Sequence, residues 1–301
     1  MSDAEFGPVA AALAAAIGCP VAPRPSAPVG GGSIHVAWRW PCRAGALFVK
    51  LAPRADAALL VAEADGLAAL AAVKAIRVPA VRGHGIAGES AWLALEWLDL
   101  LAPDGACDTV LGEALALQHR SVAARFGFAS DNFIGRTPQQ NGWCDDAVVF
   151  LASRRLAPQF ALITARGDEP RLVEQGARLL EVLPVFYPGC RPRPSLLHGD
   201  LWSGNRGALA GGTPVVFDPA IYFGDREADL AMTRLFGGFG QRFYDAYDAS
   251  WPLEPGADER RDLHNLYHVL NHQNLFGGGY AAQASALTAR LLAAAGRAGR
   301  A

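Results

Sequence analysis

The segment His198-Gly199-Asp200-Leu201-Trp202-Ser203-Gly204-Asn205 sets a carboxylate and a carboxamide five residues apart. A second carboxylate, Asp218, follows thirteen residues later, at the end of the short apolar run 214 to 217. Three oxygen-bearing side chains in this order suit phosphoryl transfer. One carboxylate must stand beside an acceptor hydroxyl to orient it and take its proton, while an amide oxygen and another carboxylate hold Mg2+ against the phosphates of ATP. Asp200 fits the first role, and Asn205 and Asp218 fit the metal. The D-x-x-x-x-N interval is the catalytic-loop spacing of kinases. Gly199 stands where many protein kinases carry Arg, a departure that points to small-molecule acceptors.

Phosphates also need a cation and a cradle. Lys50 interrupts the apolar run ALFVKL, which reads as a strand over 46 to 51, and Glu63 lies on the core-facing stripe of a helix expected over 55 to 72. A carboxylate on a buried stripe needs a partner. A Lys on a strand followed by a Glu on the next helix is the order of the kinase ion pair that positions Lys on the α- and β-phosphates. Gly30, Gly31, Gly32 and Ser33 precede the first of these strands, where backbone amides could cradle phosphate. The ALEWLDL run at 94 to 100 comes where two lobes would join, so the backbone of Glu96 to Leu98 is the expected adenine-binding hinge.

The elements that must position these residues divide the chain in two. Strands are expected over 34 to 40, 46 to 51, about 80 to 86 and 91 to 98, with a helix over 8 to 17 before them and the Pro/Gly-rich VAPRPSAPVGGGS as loop or turn only. Helices are expected over 108 to 124, 145 to 164, 169 to 186, 226 to 249, 258 to 275 and 281 to 297, a loop-rich stretch over 126 to 144, and a strand over 214 to 217. The expected architecture is α+β and two-lobed, with a small β-rich lobe over 1 to 98 and a larger, mainly helical lobe over 99 to 301.

Composition narrows the partners. A length of 301 residues, 51% hydrophobic and 19% charged, is enough for a two-lobed globular chain. A net charge of -2 without a dense basic run gives no footprint for nucleic acid or an anionic membrane. The five scattered cysteines form no CxxC pair and read as reduced, structural thiols. The start of the chain lacks the basic region of a signal peptide, and no uncharged run is long enough to span a bilayer, so a cytoplasmic protein is expected, with the monomer favoured.

Six segments carry a family resemblance: GGSIHVAW (31 to 38), IRVPAV (76 to 81), FGFASDNFIGRTPQQNGW (126 to 143), LLHGDLWSGN (196 to 205), FDPAIYFGDREADLAM (217 to 232) and LYHVLNHQNLFGGGY (266 to 280). With them the chain resembles the fructosamine/ketosamine-3-kinase family, relatives of the aminoglycoside and choline kinases within the protein-kinase-like fold. The resemblance implies ATP-dependent phosphorylation of the sugar O3 hydroxyl of fructosamines or ribulosamines, on a small ketosamine or a glycated amine or protein. It maps the kinase roles onto Lys50, Glu63, Asp200, Asn205 and Asp218, and Asp229 onto the buried Asp that braces the catalytic loop. Some relatives carry Cys where this chain has Ser33, so the resemblance does not by itself imply redox-linked dimers here.

Other residues admit more than one reading. Trp202, two residues past the proposed base, reads as a stacking surface for the sugar or its amine, or as a packing Trp. His198 reads as support for the loop. His264, His268 and His272 recur every four residues, yet the Glu of a zinc H-E-x-x-H is missing. The resemblance favours His268, Asn271 and His272 on the floor of the acceptor cleft. Asp131 and Asn132 either shape the acceptor side or cap helix ends. Rival readings are a kinase for another hydroxylated amine, aminoglycoside- or choline-like, and a nucleotide-binding pseudokinase.

Overall fold

The computed structural model describes residues 3–30 and 36–298. Its first part contains α1 (Asp3–Ile17), β1 (Ala27–Val29), β2 (Val36–Cys42), β3 (Gly45–Pro53), α2 (Ala57–Val73), β4 (Val81–Ala87) and β5 (Ser90–Glu96). The strands form one five-stranded antiparallel sheet in the order β1-β2-β3-β5-β4. Successive side chains of a strand alternate faces. Leu47, Val49 and Leu51 of β3 therefore pack under Phe6, Val9 and Leu13 of α1, which leaves Phe48 and Lys50 on the opposite face. Along α2 the buried positions Leu60, Glu63, Leu67 and Leu70 recur at three- and four-residue steps, so Glu63 occupies the row that faces the sheet.

One expectation fails here. The stretch read as loop or turn only contains β1, whose Ala27, Pro28 and Val29 pair with Arg39, Trp38 and Ala37. An edge strand needs ladder bonds on one side only, which is where a strand tolerates Pro.

The second part begins with α3 (Gly105–His119) and the hairpin β6 (Asn132–Ile134) and β7 (Thr137–Gln139), which lies inside the stretch expected to be loop-rich. Then α4 (Ala147–Phe150) runs through a π-helical segment (Leu151–Leu156) into α5 (Ala157–Arg166), followed by α6 (Pro170–Val182). Two pairs of mini-strands come next, β8 (Ser195–Leu197) with β11 (Tyr222–Gly224), and β9 (Arg206–Ala208) with β10 (Pro214–Val216). They anchor both ends of two loops, 198 to 205 and 217 to 221.

The helix expected over 226 to 249 is two helices, α7 (Glu227–Leu235) and α8 (Gln241–Ser250). The chain breaks between them because Gly237 and Gly238 adopt φ of 70° and 89°, outside the helical region. The chain ends in α9 (Ala257–Phe276) and α10 (Tyr280–Ala298). α3 and α8 meet almost backbone to backbone, since a Cβ on Gly112 would stand 2.3 Å from the Phe243 carbonyl oxygen. One apolar core joins both parts, with Leu60, Leu67 and Leu93 against Leu111, Leu115 and Val216. A second holds α5, α6, α9 and α10 together through Phe160, Leu172, Leu266 and Leu287. All five cysteines are free thiols.

Candidate active site

A cleft of about 360 Å³ opens between the sheet and the helical part. Val29, Ala37 and Phe48 cover it from the sheet side, and Asp200, Trp202, Asn205 and Asp218 line its floor. Lys50 reaches into it from the central strand. Its Nζ donates to Glu63 Oε2 at 2.8 Å and to Asp218 Oδ1 at 2.6 Å. Residues 168 positions apart are thus joined in one ion cluster.

The cluster holds one cation for two carboxylates, and the surroundings divide that imbalance. Burial alone would lower the Lys50 pKa, yet Asp218 and then Glu63 hold it above the usual range of lysine. Asp218 is crowded by protein, but the Lys50 charge and hydrogen bond outweigh this and keep its carboxyl below the usual range. Glu63 takes the remainder: burial outweighs the attraction of Lys50 and pushes it up to about 7.

Asp200 stands at the same floor. Burial, then the negative charge of Asp218, pushes its carboxyl up to about 7, while the hydrogen bond from Asn205 opposes the rise. A carboxylate that titrates near neutrality is suited to receive a proton from a substrate hydroxyl. Asn205 Nδ2 donates to the Asp200 carbonyl at 2.9 Å, to Asp200 Oδ2 at 3.2 Å and to the Asp218 carbonyl at 3.5 Å. With the amide nitrogen committed to these oxygens, Asn205 keeps Oδ1 and Asp218 its carboxylate as oxygen donors on the cleft floor, the donor type a hard Mg2+ ion selects. The residues present fit that ion.

The loop geometry explains Gly199. It adopts φ of 81°, and a Cβ there would stand 2.0 Å from the Ala220 carbonyl oxygen, so no larger residue can occupy the position. Behind the loop, Asp229 of α7 accepts from the amides of His198 at 2.7 Å and Gly199 at 2.8 Å. Burial would raise its pKa, but hydrogen bonds from His119 and the loop keep it ionised, below the usual range. His198 is buried and its pKa is lowered by burial. Its Nε2 donates to the Phe217 carbonyl at 3.0 Å and its Nδ1 accepts from the Asp200 amide at 3.3 Å, so the neutral ring ties the two loops together.

His119 is a residue that the sequence did not single out. Its Nε2 lies 3.1 Å from Asp229 Oδ2 and its Nδ1 lies 2.8 Å from the Tyr247 hydroxyl, which in turn accepts from Arg226 at 3.1 Å. A neutral His119 satisfies the whole chain, with Nε2–H toward Asp229 and Nδ1 toward Tyr247. Its only sequence signal was a place near the end of a helix.

Other expected residues fall in different places. Glu96 and Leu98 line the cleft, with the Glu96 carboxylate committed to Arg77 and, at 3.1 Å, to the Ala80 amide. Gly31, Gly32 and Ser33 lie outside the described residues, while Gly30 lines the cleft. His268 and His272 are not among the lining residues. His268 is buried and pushed down to about 3 by that burial. His272 packs against Phe236 at 5.1 Å between ring centres, and Phe236 meets Trp202 edge-on at 6.1 Å, so His272 reaches the cleft only through Phe236. Asn132 lines the cleft and caps no helix. Its side chain is buried and its Nδ2 donates to the Ile221 carbonyl at 2.7 Å.

Comparison with known proteins places this arrangement. The family model for fructosamine kinase matches residues 6–294. A probable ketoamine kinase of Synechocystis is 44% identical over 247 residues, covering 81% of this chain and 82% of that protein. The chloroplastic protein-ribulosamine 3-kinase of Oryza sativa subsp. indica is 38% identical over 262 residues, covering 86% of this chain and 76% of that protein. A crystal structure from Thermobifida fusca assigned to fructosamine-3-kinase superimposes with a TM-score of 0.85 at 34% identity, covering 94% of this chain and 98% of that one.

Proposed function

The chain belongs to the fructosamine kinase family, and from that premise we propose that it transfers the γ-phosphoryl group of ATP to the sugar O3 hydroxyl of a ketosamine. The observation that carries this reading is the convergence of Lys50, Glu63, Asp218, Asp200 and Asn205 on one cleft.

Asp200 orients the acceptor hydroxyl and receives its proton as the new bond forms between O3 and the γ-phosphorus. The bond from that phosphorus to the bridging oxygen of ADP breaks in line. Lys50, held by Glu63, faces the α- and β-phosphates. Asn205 and Asp218 would hold Mg2+, which would supply positive charge against the negative charge of the phosphates. The backbone of Glu96 to Leu98, with the apolar Val29, Ala37 and Phe48, serves the adenine, and Trp202 stands on the acceptor side. We take residues 1–98 and 99–301 as the two lobes on either side of this cleft. Catalysis here is positioning and charge neutralisation with no covalent intermediate on the protein. The acceptor is a small ketosamine or one carried on a protein, and the monomer is the working unit. Among the described residues no helix is long and apolar enough to cross a membrane; the site of action in this proposal is the cytoplasm.

The test is ADP release with ribuloselysine, fructoselysine, an aminoglycoside and choline in parallel, with products read by mass. Ketosamine-dependent release with one phosphoryl group added to the sugar is expected. Asp200→Asn should abolish it while ATP binding persists. Turnover retained in Asp200→Asn, or turnover confined to the aminoglycoside or choline, would overturn the assignment.

A further inference from the structure

The segment Asp131 to Asn141 supplies none of the groups assigned above to phosphoryl transfer, although Asn132, Phe133 and Gly135 line the cleft, and it contributes some of the most buried polar side chains of the molecule. Asn132, Gln139 and Asn141 are 7%, 2% and 0% exposed. They form a lattice whose hydrogen bonds have one consistent direction. Arg155 can only donate, and its bond to Asn141 Oδ1 at 2.7 Å fixes that amide. Asn141 Nδ2 therefore donates to Asn132 Oδ1 at 2.9 Å, which turns Asn132 Nδ2 to the Ile221 carbonyl at 2.7 Å. From the other side, the Tyr267 hydroxyl donates to Gln139 Oε1 at 2.7 Å, and Gln139 Nε2 then serves Asn132 Oδ1 at 2.8 Å and the Ala220 carbonyl at 3.1 Å.

What these amides grip is the chain just past Asp218. Asp218 adopts φ of 56°, the left-handed region that a non-glycine residue occupies only when its surroundings hold it there. The Lys50 bond holds the side chain, but not the backbone. The catalytic loop holds the backbone before it, with the Phe217 amide donating to the Asn205 carbonyl at 3.1 Å and its carbonyl accepting from His198 at 3.0 Å, and a second set of bonds holds it downstream. The Ala220 amide donates to the His198 carbonyl at 2.8 Å, the Ala220 and Ile221 carbonyls are taken by Gln139 and Asn132, and Phe223 exchanges two bonds with Gly127 at 2.8 and 2.9 Å.

We infer that Gln139 and Asn132, oriented by Tyr267 and Arg155, are positioning residues that fix the backbone turn at Asp218 and so set the geometry of its carboxylate toward the divalent cation. This rests on the reading of Asp218 as a metal-holding residue. The segment that bears Asp218 is thereby pinned to one arrangement before any ligand arrives, and ligands need supply none of that ordering.

The test measures binding of a fluorescent ATP analogue as a function of Mg2+, with binding in EDTA alongside. Gln139→Glu keeps the shape but sets a carboxylate oxygen against the Asn132 and Ala220 oxygens. Tyr267→Phe removes only the hydroxyl that orients Gln139, and it stands in should Gln139→Glu fail to fold. Both variants should raise the Mg2+ concentration for half-saturation, by about tenfold for Gln139→Glu as for lost partners behind a metal ligand and less for Tyr267→Phe, with binding in EDTA unchanged. Asp218→Asn is the reference. If it raises the Mg2+ requirement while Gln139→Glu, or Tyr267→Phe in its place, does not, the lattice is packing only and the inference fails. If Asp218→Asn itself leaves the requirement unchanged, the metal reading and the inference fall together.

Discussion

Two polar clusters meet at Asp218, and they are built on opposite terms. On the cleft side, Lys50, Glu63 and Asp218 carry one positive charge against two negative ones, and Glu63 Oε1 is buried with no partner among the described residues. Past Asp218, Asn132, Gln139, Asn141 and Tyr267 form a neutral lattice tied to Arg155, in which each amide oxygen and nitrogen has a partner, although Arg155 Nε is itself buried without one among the described residues. A lattice whose amides are all paired rigidifies, whereas a partly satisfied charged cluster raises the free energy of the folded state. The cleft cluster keeps its imbalance where phosphate and a cation can complete it. The lattice supplies the stability that such a site lacks.

The largest separation of the two should come from Lys50→Met. It removes a fixed positive charge from the place where phosphate charge must be met, and loss of one preorganised group of this kind costs about a hundredfold to a thousandfold in kcat. Fold stability should suffer less, because Glu63 already sits near neutrality and can accept a proton in place of the lost cation. Steady-state kinetics beside thermal unfolding measures both. A variant that unfolds far more easily but turns over normally would reverse the division drawn here.

Arg155→Met strikes the lattice instead. Arg155 is 1% exposed, donates to the Gln140 carbonyl at 2.6 Å and to Asn141, and its guanidinium lies 3.8 Å over the Tyr222 ring. Losing those bonds strands a buried carbonyl and an amide oxygen, at about 3 kcal/mol of stability. The midpoint of thermal unfolding should fall by several degrees, and the KM for ATP should stay little changed only at saturating Mg2+, because the loosened lattice raises the Mg2+ requirement. An unaltered midpoint would show that the lattice does not hold the fold.

The two clusters also differ in how far the sequence revealed them. Lys50 and Glu63 were legible because each violates its local pattern, a charge within an apolar strand and a carboxylate on a buried helix row, and one pairing explains both. Asp200, Asn205 and Asp218 were legible through spacing. The sheet followed from period-two alternation, except for β1, whose Pro28 suppresses every strand signal although an edge position tolerates it. The break between α7 and α8 was hidden because Phe236 and Phe239 continue an apolar pattern through the glycines. Of the lattice the sequence singled out only Asn132, and none of its partners. Asn132 meets Ile221 across 89 positions and Gln139 meets Tyr267 across 128, and a polar side chain carries no local mark of where its partner lies. His119 met Asp229 in the same way, across 110 positions.

The smallest expected effect is the most discriminating. Glu63→Gln removes one of the two carboxylates that share Lys50. The folded pKa of Glu63, about 7, lies above its ordinary value of 4.5, so the folded state binds its proton more tightly than the unfolded chain does. The ionised form is therefore a burden to the fold. That burden is absent below about pH 4.5, grows as pH rises toward about 7, and is complete above it. A neutral glutamine lacks it but also leaves Lys50 with Asp218 alone, and the two changes oppose each other. The variant should match or exceed the parent in stability at alkaline pH, by about 1 kcal/mol or less, and the advantage should shrink on acidification. Turnover should nevertheless drop about tenfold, because Lys50 is held less firmly. Unfolding midpoints for both proteins across that pH range decide the matter. A Glu63→Gln protein clearly less stable than its parent at alkaline pH would mean that the ion cluster stabilises the fold as the lattice does, and the contrast between the two sides of Asp218 would be lost.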